Sequence, residues 1–408
     1  VCDDKDKMLK HFVLLITLSL LVPASAAAAA QRVTDATLDR DLTRLAAGAG
    51  GRGGFVVLDG KTGRTLAADR PDTVRPLGST AKLLTLGAAT RYLGNGLKTT
   101  AYVTGPTVAG TVQGDIVLRG GGDPTLDEAK LADLADQLGT LAVRSATGSV
   151  VGDESLLDTV RGGPTTGGAF DLELGGVLGA LTYDRGRQAP GGPLQPDPAR
   201  AAAFRLDDLL EQRGGAILGS PRAGVTPPGA IELAHVGTPL TQVLKAIGKP
   251  SDDFGAEVLA KDVAAAAGRP GTTADGAAVI VADARSLGVR VTVADGSGVD
   301  PATRAAPRQM ARYVRASRRG HRGLITYGIP IAGVDGTLAA RMTSGPARGH
   351  CHAKTGSLPQ TRVSALTGWC RTHDRTVYFA IQRERVDQAA AKAAEDAMVQ
   401  RIAVSRRR

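Results

Sequence analysis

Apolar and polar positions alternate in short blocks along this chain, and the blocks predict a mixed α and β fold. Phe55-Val56-Val57-Leu58 is a continuous apolar run closed by a Gly-rich turn through Lys61-Thr62-Gly63, which reads as a buried strand and a hairpin tip. Ser79 to Leu93 predicts a helix, with Leu83, Leu84, Leu86 and Ala88 available for burial and Gly78 just before it. From about Thr100 to Asp158 the pattern is strand-like and turn-rich; from Arg161 to Pro198 it is rich in Gly and Pro. Asp197 to Arg213 returns to helical spacing, with Ala201, Phe204, Leu206, Leu209 and Leu210 apolar. A polar strand-like run then reaches Lys354, and Val363 to Trp369 reads as its partner strand across a loop near Gln360. No fixed-period repeat is present.

At the N-terminal end, Lys7 and Lys10 precede the apolar run Phe12 to Val22 and the small residues Pro23-Ala24-Ser25-Ala26-Ala27. That is the pattern of a cleaved export signal, so residues 1–30 are assigned to signal and cleavage region, with Met8 as the expected start. The run is short for a membrane span, and no transmembrane anchor is expected in the mature chain. The length of 408 residues leaves room for more than one domain. The formal net charge of +10 is unchanged by signal removal, because Lys5, Lys7 and Lys10 balance Asp3, Asp4 and Asp6. Such a balance favours anionic partners, or else reflects only a solvated arginine-rich surface. Aromatic content of 3% argues against a nucleic-acid stacking surface.

Candidate chemistry lies in three polar motifs in a fixed order: Ser79-Thr80-Ala81-Lys82, Ser251-Asp252-Asp253 and Lys354-Thr355-Gly356-Ser357. A serine and a lysine three apart on a helix share a face, so the amine reaches the hydroxyl. Near the helix N-terminus, free backbone N–H groups help an oxygen carry negative charge. A desolvated Lys82 close to other positive charge would give up its proton readily and accept that of Ser79. By itself this motif is weak: at ordinary Ser and Lys frequencies of roughly 6–7% it arises about once by chance in a chain this long. A helix cap and a surface lysine remain the alternative. Lys-Thr-Gly occurs twice; the copy at Lys61 precedes the serine motif and reads as a hairpin tip. The copy at Lys354 would place Lys354 and Thr355 on a strand edge, with Gly356 letting a substrate backbone approach. At the middle motif an Asp-rich helix cap is the plain alternative for Asp253.

Together these motifs resemble the three active-site corners of penicillin-binding proteins and serine β-lactamases, with Asp253 where that superfamily carries Asn. Gly114 to Leu126, the phrase Lys249-Pro250-Ser251-Asp252-Asp253 through Lys261, Val293 to Val299 and Pro330 to Leu338 narrow the resemblance. They are similar to segments of D-alanyl-D-alanine carboxypeptidases/endopeptidases, the low-molecular-mass penicillin-binding class with a large insert. The resemblance implies an α+β, β-lactamase/transpeptidase-like antiparallel sheet flanked by helices. More than a third of the chain separates Ser79 from Ser251. The expected organisation is therefore a discontinuous catalytic domain, 31–99 and 233–408, around an inserted domain, 100–232.

The resemblance further implies catalytic roles for Ser79, Lys82 and Ser251. Asp253, Lys354, Thr355, Gly356 and Ser357 would bind substrate, with an oxyanion hole from the N–H groups of Ser79 and Ser357. An ionised Asp253 only accepts hydrogen bonds, whereas Asn both donates and accepts. It would hold Lys82 protonated or repel an anionic substrate. The implied partners are peptidoglycan stem peptides, with β-lactams as covalent inhibitors, no cofactor and no nucleic acid. The implied location is extracytoplasmic, in the cell wall or periplasm. A β-lactamase or esterase on the same scaffold, and a non-catalytic peptidoglycan-binding homologue disabled by Asp253, are the alternatives. If the loop at Gln360 turns a hairpin, Cys351 and Cys370 face each other and form a disulfide, the alternative being two buried thiols. His350 and His352 alternate on that strand without a third ligand, so no metal is expected.

Overall fold

The computed structural model describes residues 35–406. Its principal sheet has five antiparallel strands in the order Cys351–Leu358, Val363–Arg371, Thr376–Glu384, Arg52–Asp59 and Thr65–Asp69. The two ends of the chain thus build one sheet, joined where Phe55 pairs with Ile381 and Val57 with Phe379. The central strands are covered on both faces, which is why Phe55 to Leu58 is apolar without alternation. Phe55, Val57, Phe379 and Ile381 face Leu38 and Leu42 of the helix Asp35–Gly48 and Met398, Val399 and Ile402 of the helix Gln388–Ala403. Val56, Leu58, Trp369 and Ala380 face the other way, onto the helices Lys82–Tyr92, Leu240–Gly248 and Pro307–Ser317.

The predicted Ser79–Leu93 helix is two elements: a 3₁₀ turn, Gly78–Ala81, and an α-helix, Lys82–Tyr92. Every residue from Lys82 to Thr90 is buried, so the helix runs through the core and has no solvated face. Gly87 permits this, since a Cβ there would lie 2.1 Å from the Tyr313 hydroxyl.

A second sheet is drawn from Gly96–Pro239. Its order is Arg222–Ala223, Val150–Asp153, Ile116–Gly120, Gly96–Val103 and Ile231–Pro239, with parallel and antiparallel pairs mixed. The helices Glu128–Thr140 and Pro198–Glu211 cover one face. The second was expected over Asp197–Arg213. The first corrects the strand-like reading of that stretch: Leu131, Leu134, Ala135 and Leu138 recur at helical spacing and are buried, and Asp127 caps the start by accepting the Lys130 N–H.

The two parts of the chain meet along the helix Asp253–Ala266. Phe254 and Val258 pack against Leu157, Leu174, Leu178 and Ala180. Arg185 grips Asp252 through two bonds of 2.9 Å and lies over the Phe254 ring. Lys261, fully buried, donates to Asp158 at 2.6 Å. Full burial of a Phe contributes about 1.5–3 kcal/mol. The start of this helix, where Asp253 sits, is therefore held from the Gly96–Pro239 side.

The strands carrying Cys351 and Cys370 pair in the register that sets these residues opposite each other, and a disulfide joins them. The expected export signal lies outside the described residues. No helix among the described residues is long and apolar enough to cross a membrane.

Candidate active site

The site forms where the Gly78–Ala81 turn meets the Cys351–Leu358 strand. Gly356 lets them touch: a Cβ there would lie 2.6 Å from the Leu77 carbonyl oxygen and 3.0 Å from the Thr80 nitrogen. Gly78, at φ 51°, does the same from the other side, its would-be Cβ 3.0 Å from the Ser357 nitrogen. The backbone of Ser357 is thereby brought beside the segment that presents Ser79, as an oxyanion hole from their two N–H groups requires.

Lys82 is fully buried, and three acceptors surround its ammonium: Ser79 Oγ at 3.1 Å, Asp253 Oδ1 at 2.5 Å and the Ser297 carbonyl oxygen at 2.8 Å. An ammonium has three protons, and here each has a place to go. The Ser297 carbonyl is fixed in turn by Glu257, which is buried and accepts the N–H groups of Gly296 and Ser297 at 3.1 and 2.7 Å. Burial first, and then Asp295, raise the Glu257 carboxyl above its ordinary range. Glu257 lies one helical turn after Asp253, so one helix supplies both the ion-pair partner of Lys82 and the support for its third acceptor.

Lys354 is also fully buried, but no carboxylate pairs with it among the described residues. It donates to Ser251 Oγ at 2.8 Å and to the Thr355 carbonyl oxygen at 3.0 Å. Burial, reinforced by the charge of Lys82 and opposed by Asp253, drops its amine well below the usual lysine range. The two site lysines thus differ in their partners, Asp253 lying at the Lys82 nitrogen and only a hydroxyl and a carbonyl oxygen at that of Lys354. Ser251 holds a left-handed backbone at φ 67°, a conformation that costs a non-glycine residue about 1–3 kcal/mol and persists where surroundings enforce it.

Ser79, Ser251, Thr355 and Ser357 line one cavity of about 270 Å³. Thr337, Arg341 and Lys392 complete its wall. Thr337 shares a 2.9 Å hydroxyl–hydroxyl bond with Thr355; Arg341 is engaged by Glu395 and Asp396. These three, with Ser297 and Glu257, were not singled out from sequence. Thr337 and Ser297 do fall inside the Pro330–Leu338 and Val293–Val299 segments noted above. Next along the strand, Leu358, Gln360 and Thr361 line a larger cavity of about 480 Å³, opposite Asp171 and Glu173.

The antiparallel sheet and its flanking helices are those of the β-lactamase/transpeptidase-like fold. Penicillin binding protein 4 of Haemophilus influenzae superposes with a TM-score of 0.76 at 21% identity, over 89% of this chain and 99% of that one. A predatory peptidoglycan endopeptidase of Bdellovibrio bacteriovorus gives 0.59 at 17% identity, over 86% and 91%. The chain belongs to the D-Ala-D-Ala carboxypeptidase 3 (S13) family, whose profile matches residues 34–167 and 185–404. A carboxypeptidase of Mycobacterium tuberculosis is 30% identical over 84% of this chain and 77% of its own length. The D-alanyl-D-alanine carboxypeptidase of Actinomadura is 26% identical over 96% and 88%.

Proposed function

We propose that this protein is an exported serine D-alanyl-D-alanine carboxypeptidase that cleaves the terminal bond of peptidoglycan stem peptides through an acyl-enzyme on Ser79. The observation that carries this reading is the convergence of Ser79, Ser251, Thr355 and Ser357 on one cavity, with Lys82 and Lys354 buried behind it. Ser79 Oγ attacks the carbonyl of the penultimate D-alanine; the C–N bond breaks, the amine leaves with a proton, and water then releases the acyl group. Lys82, paired with Asp253, stabilises negative charge on the Ser79 oxygen. Lys354 and Ser251 relay the proton from nucleophile to leaving amine. Thr355 and Ser357, with Thr337 behind Thr355, bind the terminal carboxylate. Lys392, exposed at the cavity wall, adds positive charge for that same anion.

Residues 100–232 form the inserted domain in this reading. Its Asp171 and Glu173 face the larger cavity beside the cleft, where they suit a cationic group on the stem-peptide side chain. Because β-lactams present a carbonyl and a carboxylate in the same relation, they acylate Ser79 as well. Incubation with a fluorescent penicillin tests the assignment: wild type is expected to label covalently and Ser79→Ala to lose the label. An unlabelled wild type, or equal labelling of both, rejects it.

The Lys82–Asp253 ion pair favours one further reading, a peptidoglycan-binding homologue whose chemistry is suppressed. That protein would bind isolated peptidoglycan without releasing D-alanine.

A further inference from the structure

His352 stands two residues before Lys354 on the same face of its strand, and there it lines a separate cavity of about 420 Å³. The walls bring together Lys245, Lys249, Arg318 and Arg371, with Asp335 as their carboxylate. Asp335 is already spent on Lys249, which donates to both its oxygens at 2.7 and 2.8 Å. Lys245, Arg318 and Arg371 have no ion-pair partner among the described residues. Three cations without a carboxylate partner thus border one hollow, Lys245 and Arg371 exposed and Arg318 partly buried against aromatic rings. Arg318 lies 4.2 Å above the Trp369 ring and donates to the Tyr378 hydroxyl at 2.9 Å.

Two further observations point the same way. The Nε of Arg318 and the Nε1 of Trp369 are buried without a hydrogen-bond partner, and both groups only donate. His352, stacked on Trp369 at 4.7 Å, is pushed down to about 4, by burial first and then by Lys249, Arg318 and Arg371. The imidazole is therefore neutral near pH 7, and with Asp335 paired to Lys249 the remaining charge is that of Lys245, Arg318 and Arg371. We propose that this cavity is a binding site for a phosphate group, carried by inorganic phosphate or by the phosphodiester backbone of an anionic polymer. A carboxylate brings one charge and two oxygens, whereas inorganic phosphate brings up to two charges and four oxygens, and successive phosphodiesters of a polymer, each with one charge, can meet the cations in turn. The site is independent of the acyl-transfer reading, since none of its lining residues touches Ser79.

Trp369 is the chain's sole tryptophan, so its emission reports this cavity directly. The purified full chain is titrated with inorganic phosphate, and separately with a glycerol-phosphate oligomer, at constant ionic strength held with chloride. A saturable change in emission is expected. Lys245→Glu with Arg371→Glu should weaken it by roughly tenfold or more, as removal of charge-assisted contacts does. Arg285→Glu with Arg290→Glu, both exposed and outside the cavity, should change it by less than about twofold. Stronger binding of the oligomer per phosphate assigns the site to a polymer; equal binding assigns it to the free ion. No saturable change in wild type, or equal weakening in both double variants, overturns the proposal.

Discussion

Around Lys82 three acceptors take up all the protons of an ammonium, and one of them, Asp253, is an anion at 2.5 Å. The spacing of Ser79 and Lys82 was readable from sequence, and so was the possibility that Asp253 holds Lys82 charged. What spacing does not give is which buried lysine lacks a carboxylate, because that depends on a helix start far along the chain. Replacing Asp253 by Asn removes the anion and restores a donor. Asp253 also opposes the loss of the proton from Lys354, so removing its charge favours the neutral amine of the relay, and acylation by a fluorescent penicillin is expected to quicken by roughly tenfold, the scale of one nearby opposite charge. A slower Asp253→Asn would instead make Asp253 the acceptor of the serine's proton. Lys354 supplies a pH signature. Its charged form is disfavoured in the fold, so the neutral amine needed for the relay persists to well below 10.5. The acid limb of the acylation profile should accordingly lie well under the ordinary lysine range. Lys354→Arg, permanently charged, should abolish labelling. A limb at the ordinary lysine value would remove Lys354 from the relay.

At the scale of elements, what was legible follows local pattern and what was not follows contact. The Cys351–Leu358 and Val363–Arg371 strands and their hairpin were foreseen from a polar strand-like run reaching Lys354 and the run Val363 to Trp369 across the loop near Gln360. The helix Glu128–Thr140 was missed because Lys130, Asp133 and Asp136, on its outer side, break up the apolar residues along the sequence and its neighbours are strand-like; Leu131, Leu134 and Leu138 were the available signal. The helix Asp253–Ala266 has a role no local pattern discloses. Its Glu257 is buried at the Ser297 turn with a raised carboxyl, burial being the larger cause and Asp295 the second. A carboxyl raised on folding binds more protons in the native than in the unfolded chain. Its stabilisation is complete below its ordinary value of 4.5 and is lost as pH rises toward the raised folded value. Thermal melts should therefore fall with rising pH above that point, and Glu257→Gln should flatten the fall. An unchanged slope in the variant would place the titration elsewhere.

Among the described residues, one sheet is made from strands near both ends of the chain, and the segment Leu157 to Ala180 that follows the second sheet packs onto the helix that carries Asp253. The disulfide contributes at this scale, because it ties two strands whose order the chain ends must complete. Cys351 and Cys370 close a loop of sequence separation 19, for which the chain-entropy estimate is about 3 kcal/mol. Cys351→Ala with Cys370→Ala should lower stability by about that much in chemical denaturation while leaving penicillin labelling of the folded protein intact. Matching denaturation curves would mean that these thiols are not linked.

The division of labour between the two parts of the chain is open to a sharper test. The cleft beside Ser79 is walled by polar groups that suit a backbone carbonyl and a carboxylate, features common to any D-alanyl terminus. The neighbouring cavity is different, since Asp171 and Glu173 face Leu358, Gln360 and Thr361 across it. Asp171 already accepts the Glu173 N–H as the cap of a short 3₁₀ turn, so Glu173, exposed on that turn, is the better residue to change. If the insert reads a cationic side chain, stem peptides bearing a free side-chain amine should be preferred over the same peptides with that amine acetylated. Glu173→Gln should then raise KM for the free-amine peptide by roughly five- to tenfold, the scale of one charge-assisted hydrogen bond, and erase the preference. Labelling by a penicillin without such an amine should proceed at the wild-type rate, because Ser79, Lys82 and Ser251 are untouched. A preference that survives the substitution would move the selective contact out of this cavity. A loss of labelling would show that Glu173 supports the cleft itself rather than the substrate.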